Sequence, residues 1–162
     1  MKKLLLTLVA ITLISVSMNA QRISKNALGL RLGDSDGFGT EVNYQLGLGE
    51  NNRLELGLGW RSGDRLNAYK IAALYQWVWV LDGNFNWYAG AGGGAGQVNF
   101  DDNFPGDPDN ETFLFAAGDI GIEYNFDIPL LLSLDFRPEF GFGDYRDDVD
   151  FDIALGIRYQ FQ

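Results

Sequence analysis

The chain has no cysteine and no histidine, and only four prolines in 162 residues. Without cysteine there is no disulfide framework, no thiolate nucleophile and no thiolate metal site. Without histidine there is no Ser-His-Asp triad, no imidazole general base and no imidazole metal ligand. Bases are scarce as well: 12 stand against 22 acids, for a formal net charge of −10. That balance argues against nucleic acid or an anionic membrane surface as a partner. Glycine, by contrast, is abundant: 21 residues, nearly twice the usual share of ~7%. The length allows one domain.

The first residues read as a targeting segment. Lys2 and Lys3 form a positive start, and Leu4 to Val16 is apolar except for Thr7, Thr12 and Ser15. The run is too short to cross a membrane comfortably as a helix and reads as a secretory signal. The expected cut follows Ala20; Ser15 and Ser17 offer an alternative cut before Met18. The predicted organisation is a signal peptide over 1–20 and one domain over 21–162, with no cysteine for a lipid anchor.

From Ala27 onward the hydrophobic period is two, the period of strands. At the C-terminus Phe151, Ile153, Leu155, Ile157, Tyr159 and Phe161 alternate with Asp152, Ala154, Gly156, Arg158 and Gln160. The same alternation marks seven earlier segments: 27–32, 38–48, 53–61, 69–79, 87–95, 119–126 and 132–142. Eight strands near ~9–11 residues suit a tilted crossing of a bilayer.

Which face is inside decides the class. In a soluble sandwich or barrel the polar face meets water, where glycine weakens a strand and gains nothing. Here the polar face is rich in glycine, which fits the cramped interior of a narrow closed barrel. That face also mixes signs, with Arg31, Arg53, Arg61, Lys70, Arg137 and Arg158 against Glu41, Glu55, Asp119, Glu123, Asp135, Glu139 and Asp152. Enclosed charges must pair, because an unpaired buried charge costs several kcal/mol. The aromatics sort to strand ends: Trp77, Trp79, Trp87, Tyr124, Phe126, Tyr159 and Phe161 at one edge; Trp60, Tyr69, Phe140, Phe142 and Phe151 near the other. Two aromatic girdles around an apolar band mark transmembrane barrels.

A signal segment, eight alternating strands, paired inward charges and a last strand ending Ile157-Arg158-Tyr159-Gln160-Phe161 resemble the small OmpA/OmpX-like outer-membrane β-barrels. The resemblance implies an all-β, eight-stranded antiparallel up-and-down transmembrane barrel, monomeric, surrounded by outer-membrane lipid. It also implies insertion by the barrel-assembly machinery, which reads an aromatic near the C-terminus; here Phe161 is penultimate. Barrel enzymes of that membrane that act on lipid A or peptides resemble one another in pairing histidine with serine or aspartate, and this chain has no histidine. The resemblance therefore implies a place and a shape, with no enzyme activity and no cofactor.

With both termini on the inner side, the inner turns are predicted at Glu50-Asn51-Asn52, Asp82-Gly83-Asn84 and Asp127-Ile128-Pro129. The outer connections run over 34–37, 62–65, 98–112 and 144–149. Asp101, Asp102, Asp107, Asp109 and Glu111 in the third are a candidate cation-binding loop, since hard cations such as Ca²⁺ take oxygen ligands. The spacing is not that of an EF-hand, and a solvated acidic tip is the plainer reading. Gly90 to Ala95 matches G-x-G-x-x-A, but no helix follows, as a dinucleotide site requires. A thin wall opposite bulky lumen residues such as Tyr88, Arg137 or Glu139 explains it better; a lateral notch beside this strand is a further reading. Asp119 and Glu123 share a face and read as lumen ion-pair partners rather than as an acid–base pair.

Three functions follow as expectations. The first is a structural or surface-interaction barrel (envelope integrity, adhesion or ligand binding by the acidic outer loops) whose lumen is plugged by paired charges. The second is a narrow pore for ions or small solutes. The third is a soluble periplasmic barrel binding an apolar ligand.

Overall fold

The computed structural model describes residues 23–33, 39–62, 66–100, 110–142 and 148–162. The predicted signal segment lies outside them, as do Asp101, Asp102, Asp107 and Asp109 of the candidate cation-binding loop. Eight strands follow one another: β1 (Asn26–Leu32), β2 (Thr40–Gly47), β3 (Asn52–Ser62), β4 (Leu66–Asp82), β5 (Phe85–Phe100), β6 (Glu111–Asn125), β7 (Leu130–Phe142) and β8 (Val149–Phe161). Each pairs antiparallel with its sequence neighbour, and β1 pairs with β8, so the sheet closes into a barrel. Closure removes the two unpaired edges that an open sheet would present.

The chain is an eight-stranded, antiparallel, up-and-down transmembrane β-barrel. Alternation drives it. Along β8 every second residue from Asp152 to Arg158 is buried, and the residues between are exposed. The two faces carry opposite chemistry. Glu139 is wholly buried, whereas Phe151 and Ile153 are 64% and 66% exposed. Outward residues include Leu28, Leu30, Leu56, Leu58, Ile71, Ile120, Leu134 and Leu155. A belt of that kind suits hydrocarbon, and in water it would be far larger than the apolar patches soluble proteins expose.

The aromatics flank the belt as expected. Trp79 stacks on Trp87 across the β4–β5 pair at 4.4 Å, and Phe85 meets Tyr124 edge-on at 4.7 Å, both beside the short turns. Toward the long connections Trp60 pairs with Tyr69, and Phe136 stacks on Phe151. The β4–β5 turn is tight, with Gly83 at φ 51°, a left-handed conformation that glycine adopts without a Cβ penalty.

Strand ends differ from the sequence expectation. β4 runs from Leu66 to Asp82 and β6 begins at Glu111, so the third outer connection lies between Phe100 and Glu111, shorter than the predicted 98–112. From Phe113 to Ala117 both faces are apolar, so alternation fades there.

Candidate functional site

Buried charge, among the described residues, gathers in the lumen. Among the described residues, five bases and seven acids are buried: Arg31, Arg53, Lys70, Arg137 and Arg158 with Glu41, Glu55, Asp119, Glu123, Asp135, Glu139 and Asp152. Twelve of the thirteen charged residues predicted for the lumen are thus inside. The correction is Arg61. It shares the inward parity and pairs with buried Ala68, but its side chain is exposed. It stands next to the last residue of β3, where the wall ends and a long side chain reaches water.

The charges form one extended network and one smaller one. Arg31 donates to Asp135 through Nε at 2.9 Å and Nη2 at 2.6 Å, and to Asp152 through Nη1 at 2.5 Å. Arg137 lies across the lumen from β2 and β3: Nη1 reaches Glu41 at 3.1 Å and Nη2 reaches Glu55 at 2.8 Å. Lys70 Nζ joins Glu41 at 3.2 Å to Glu139 at 3.0 Å. Arg158 closes the set on Glu55 at 3.1 Å, with Asn43 and Ser133 accepting its remaining donors. Every strand except β5 and β6 contributes to this ring. Charge-assisted pairs of this geometry fix a unique arrangement, because breaking one strands its partner in a buried site.

The smaller network lies on β3 to β6. Arg53 donates to Glu123 at 2.7 Å and to Gln76 at 2.6 Å, and its guanidinium sits 4.7 Å from the Tyr88 ring centroid. Gln76 in turn donates to Asp119. Asn86 donates to Glu123 at 3.1 Å. Of the two acids predicted as lumen ion-pair partners, Glu123 therefore meets a base, Arg53, whereas Asp119 is held by the Gln76 amide.

One feature was absent from the sequence reading. Toward the long connections the β4–β6 side of the lumen is apolar, filled by Ala68, Ala72, Leu74, Val98, Phe113, Phe115 and Ala117, with Phe100 packed against them. The glycines of β5 make room for it. A Cβ on Gly94 would lie 2.5 Å from Phe115 Cζ, and one on Gly96 would strike the Phe113 ring. The thin wall is as expected, but its partners at these two positions are the two phenylalanines, not Tyr88, Arg137 or Glu139. Tyr88 instead overhangs Gly121, where a Cβ would meet its ring at 2.5 Å. A signal was available: Phe113, Phe115 and Ala117 share the parity of Asp119 and Glu123. On the outer wall a shallow groove of about 250 Å³ lies beside this strand at Ile71, Ala95, Gly96 and Thr112.

The short turns gather at one end of this lumen and the longer connections at the other. No protein-family model matches the chain, and no curated protein matches it by sequence. Solved structures do match in fold. The N-terminal β-barrel domain of Pseudomonas aeruginosa OprF is similar at a TM-score of 0.66 and 14% identity, over 85% of this chain and 98% of that one. The fold is that of a small outer-membrane barrel. Ail, the attachment invasion locus protein of Yersinia pestis, is similar at a TM-score of 0.56 and 15% identity, over 85% of this chain and 97% of that one. A de novo designed transmembrane β-barrel is similar at 0.55 and 15% identity, over 88% of this chain and 99% of that one. Identities this low speak for the shape, and function rests on the site itself.

Proposed function

We propose that this protein is a monomeric outer-membrane barrel with a structural or surface-interaction role, its lumen held shut by paired charges. The observation that carries this reading is the inverted polarity of the barrel. Twelve charged side chains are buried within it, and leucine, isoleucine and aromatic residues cover the outside. Such a molecule is stable where its surroundings are hydrocarbon. A soluble barrel binding an apolar ligand needs the opposite arrangement, an apolar interior under a polar surface. The OprF and Ail folds support the outer membrane as the place.

Eight strands leave an interior that side chains can fill, and here Arg31, Arg137, Arg158 and Tyr88 are among the largest wholly buried residues. That supports a plug over a conduit. The reading is non-catalytic, since the chain has neither histidine nor cysteine and the buried carboxylates are engaged with bases or amides.

Contact with the surroundings then falls to the two ends. From Asp34 to Asp150 the outer connections and their flanks carry twelve acids against Arg65 and Arg146. Ail has been solved in complex with the heparin analogue sucrose octasulfate. An end this acidic would repel such a polyanion and attract cationic partners or divalent cations.

Planar-bilayer recording tests the plug. The purified barrel is expected to give no reproducible conductance. Steady conductance that changes when Arg137 or Glu139 is neutralised would establish the pore instead.

A further inference from the structure

The wall has an interruption at mid-height between β6 and β7. Ala117 pairs with Glu139, and Ile120 with Phe136, but the two positions between them are unpaired. Gly118 and Asp119 stand there opposite Pro138 and Arg137. The cause is chemical: proline has no N–H, so the ladder lacks the donor that would meet the Gly118 carbonyl. A closed barrel has no edge strand on which a proline is ordinarily tolerated. At this depth no bulk water is at hand, and an unsatisfied carbonyl in hydrocarbon costs several kcal/mol.

The lumen side of the same gap is also unsatisfied. Asp119 Oδ1 and Arg137 Nε are both buried without a hydrogen-bond partner. One is an acceptor and the other a donor, and they belong to the facing residues of the unpaired step. Asp119 is 5% exposed and Arg137 is 1% exposed. The other oxygen of Asp119 is held by Gln76, and the other nitrogens of Arg137 by Glu41 and Glu55. Neither side chain swings freely toward the other. Gly118 offers no side chain to cover the gap, and a Cβ there would already press on Pro138 Cγ at 3.3 Å.

We propose that this step is a hydrated gap in the wall. A water molecule held by Arg137 Nε, Asp119 Oδ1 and the Gly118 carbonyl takes the place of the missing N–H, and the barrel parts at this seam before any other. Three polar partners are what a buried water ordinarily finds. The water so held sits at the centre of a lumen otherwise closed by side chains.

The test is amide hydrogen exchange on the full barrel in lipid nanodiscs, resolved residue by residue by NMR. The amides of Gly118, Ile120 and Phe136, which lie on the β6–β7 seam, are expected to exchange about tenfold faster than those of Asp152 and Ala154 on the β7–β8 seam, roughly the worth of one net hydrogen bond. Pro138→Ala restores the donor and is expected to remove most of that difference. Magnetisation transfer from water to the Arg137 Nε–H reads the bound water directly. Equal protection on the two seams overturns the proposal even if the variant fails to fold. Fast exchange unchanged by Pro138→Ala overturns the proline as its cause. Absence of water transfer at Arg137 overturns the water.

Discussion

The two sides of the lumen solve one problem by different means. On β7, β8 and β1 to β3, space is filled by long charged side chains that span the barrel, as Arg137 does to Glu41 and Glu55. On β4 to β6 near the long connections it is filled by Phe113 and Phe115 seated against Gly94 and Gly96. The charged side specifies its partners, since each base is matched to acids on named strands and a shift of register would strand them. The apolar side specifies only volume, and does so through the absence of side chains on β5. Lys70, whose Nζ lies 5.7 Å from the Phe115 ring centroid, sits where the two meet.

This difference can be broken from either side. The largest effect is expected from Arg137→Met, which leaves Glu41 and Glu55 short of a base. Loss of a buried partner costs about 3–5 kcal/mol, measurable as a lower urea midpoint for the barrel in detergent or lipid. Adding Glu55→Gln should return part of that loss, because the stranded charge is then gone. On the apolar side Gly94→Val should overpack the Phe115 ring and cost about 1–3 kcal/mol by the same measurement. In the Phe115→Ala background the same valine should cost less, since the ring is then gone and only the Ile71 carbonyl beside the new Cβ remains to give way. A valine cost independent of residue 115 would contradict the volume account. The smallest effect is expected at Arg61. It has the sequence signature of a lumen base but is exposed, so Arg61→Ala should change stability by no more than about 0.5 kcal/mol.

The same contrast explains how much of the molecule was legible beforehand. Strand number, order and facing were readable because a polar lumen and an apolar exterior impose a period of two. Twelve of the inward charges follow from parity alone. Where the lumen is itself apolar the period disappears, and with it the signal: Phe113 to Ala117 reads as one apolar run, so the start of β6 and the phenylalanine plug were missed. Arg61 was misplaced because parity says which way a residue points and not whether the wall still extends around it. The partners were out of reach for a further reason. Arg137 and Glu41 are 96 residues apart, and their meeting depends on closure and on the register of every pairing between them. The gap at Pro138 was visible as a proline inside a strand, but its opposing residues follow only from that register.

The central claim is that the apolar face looks outward into lipid, and the four tryptophans report on it. Trp60, Trp77, Trp79 and Trp87 all have outward parity, and the first three are 46%, 43% and 40% exposed. The direct measurement is their fluorescence in bilayers containing brominated acyl chains, compared with quenching by aqueous iodide. The account predicts strong quenching by the brominated lipid and little by iodide. Ready quenching by iodide with no effect of the brominated chains would place these residues in water and contradict the transmembrane barrel.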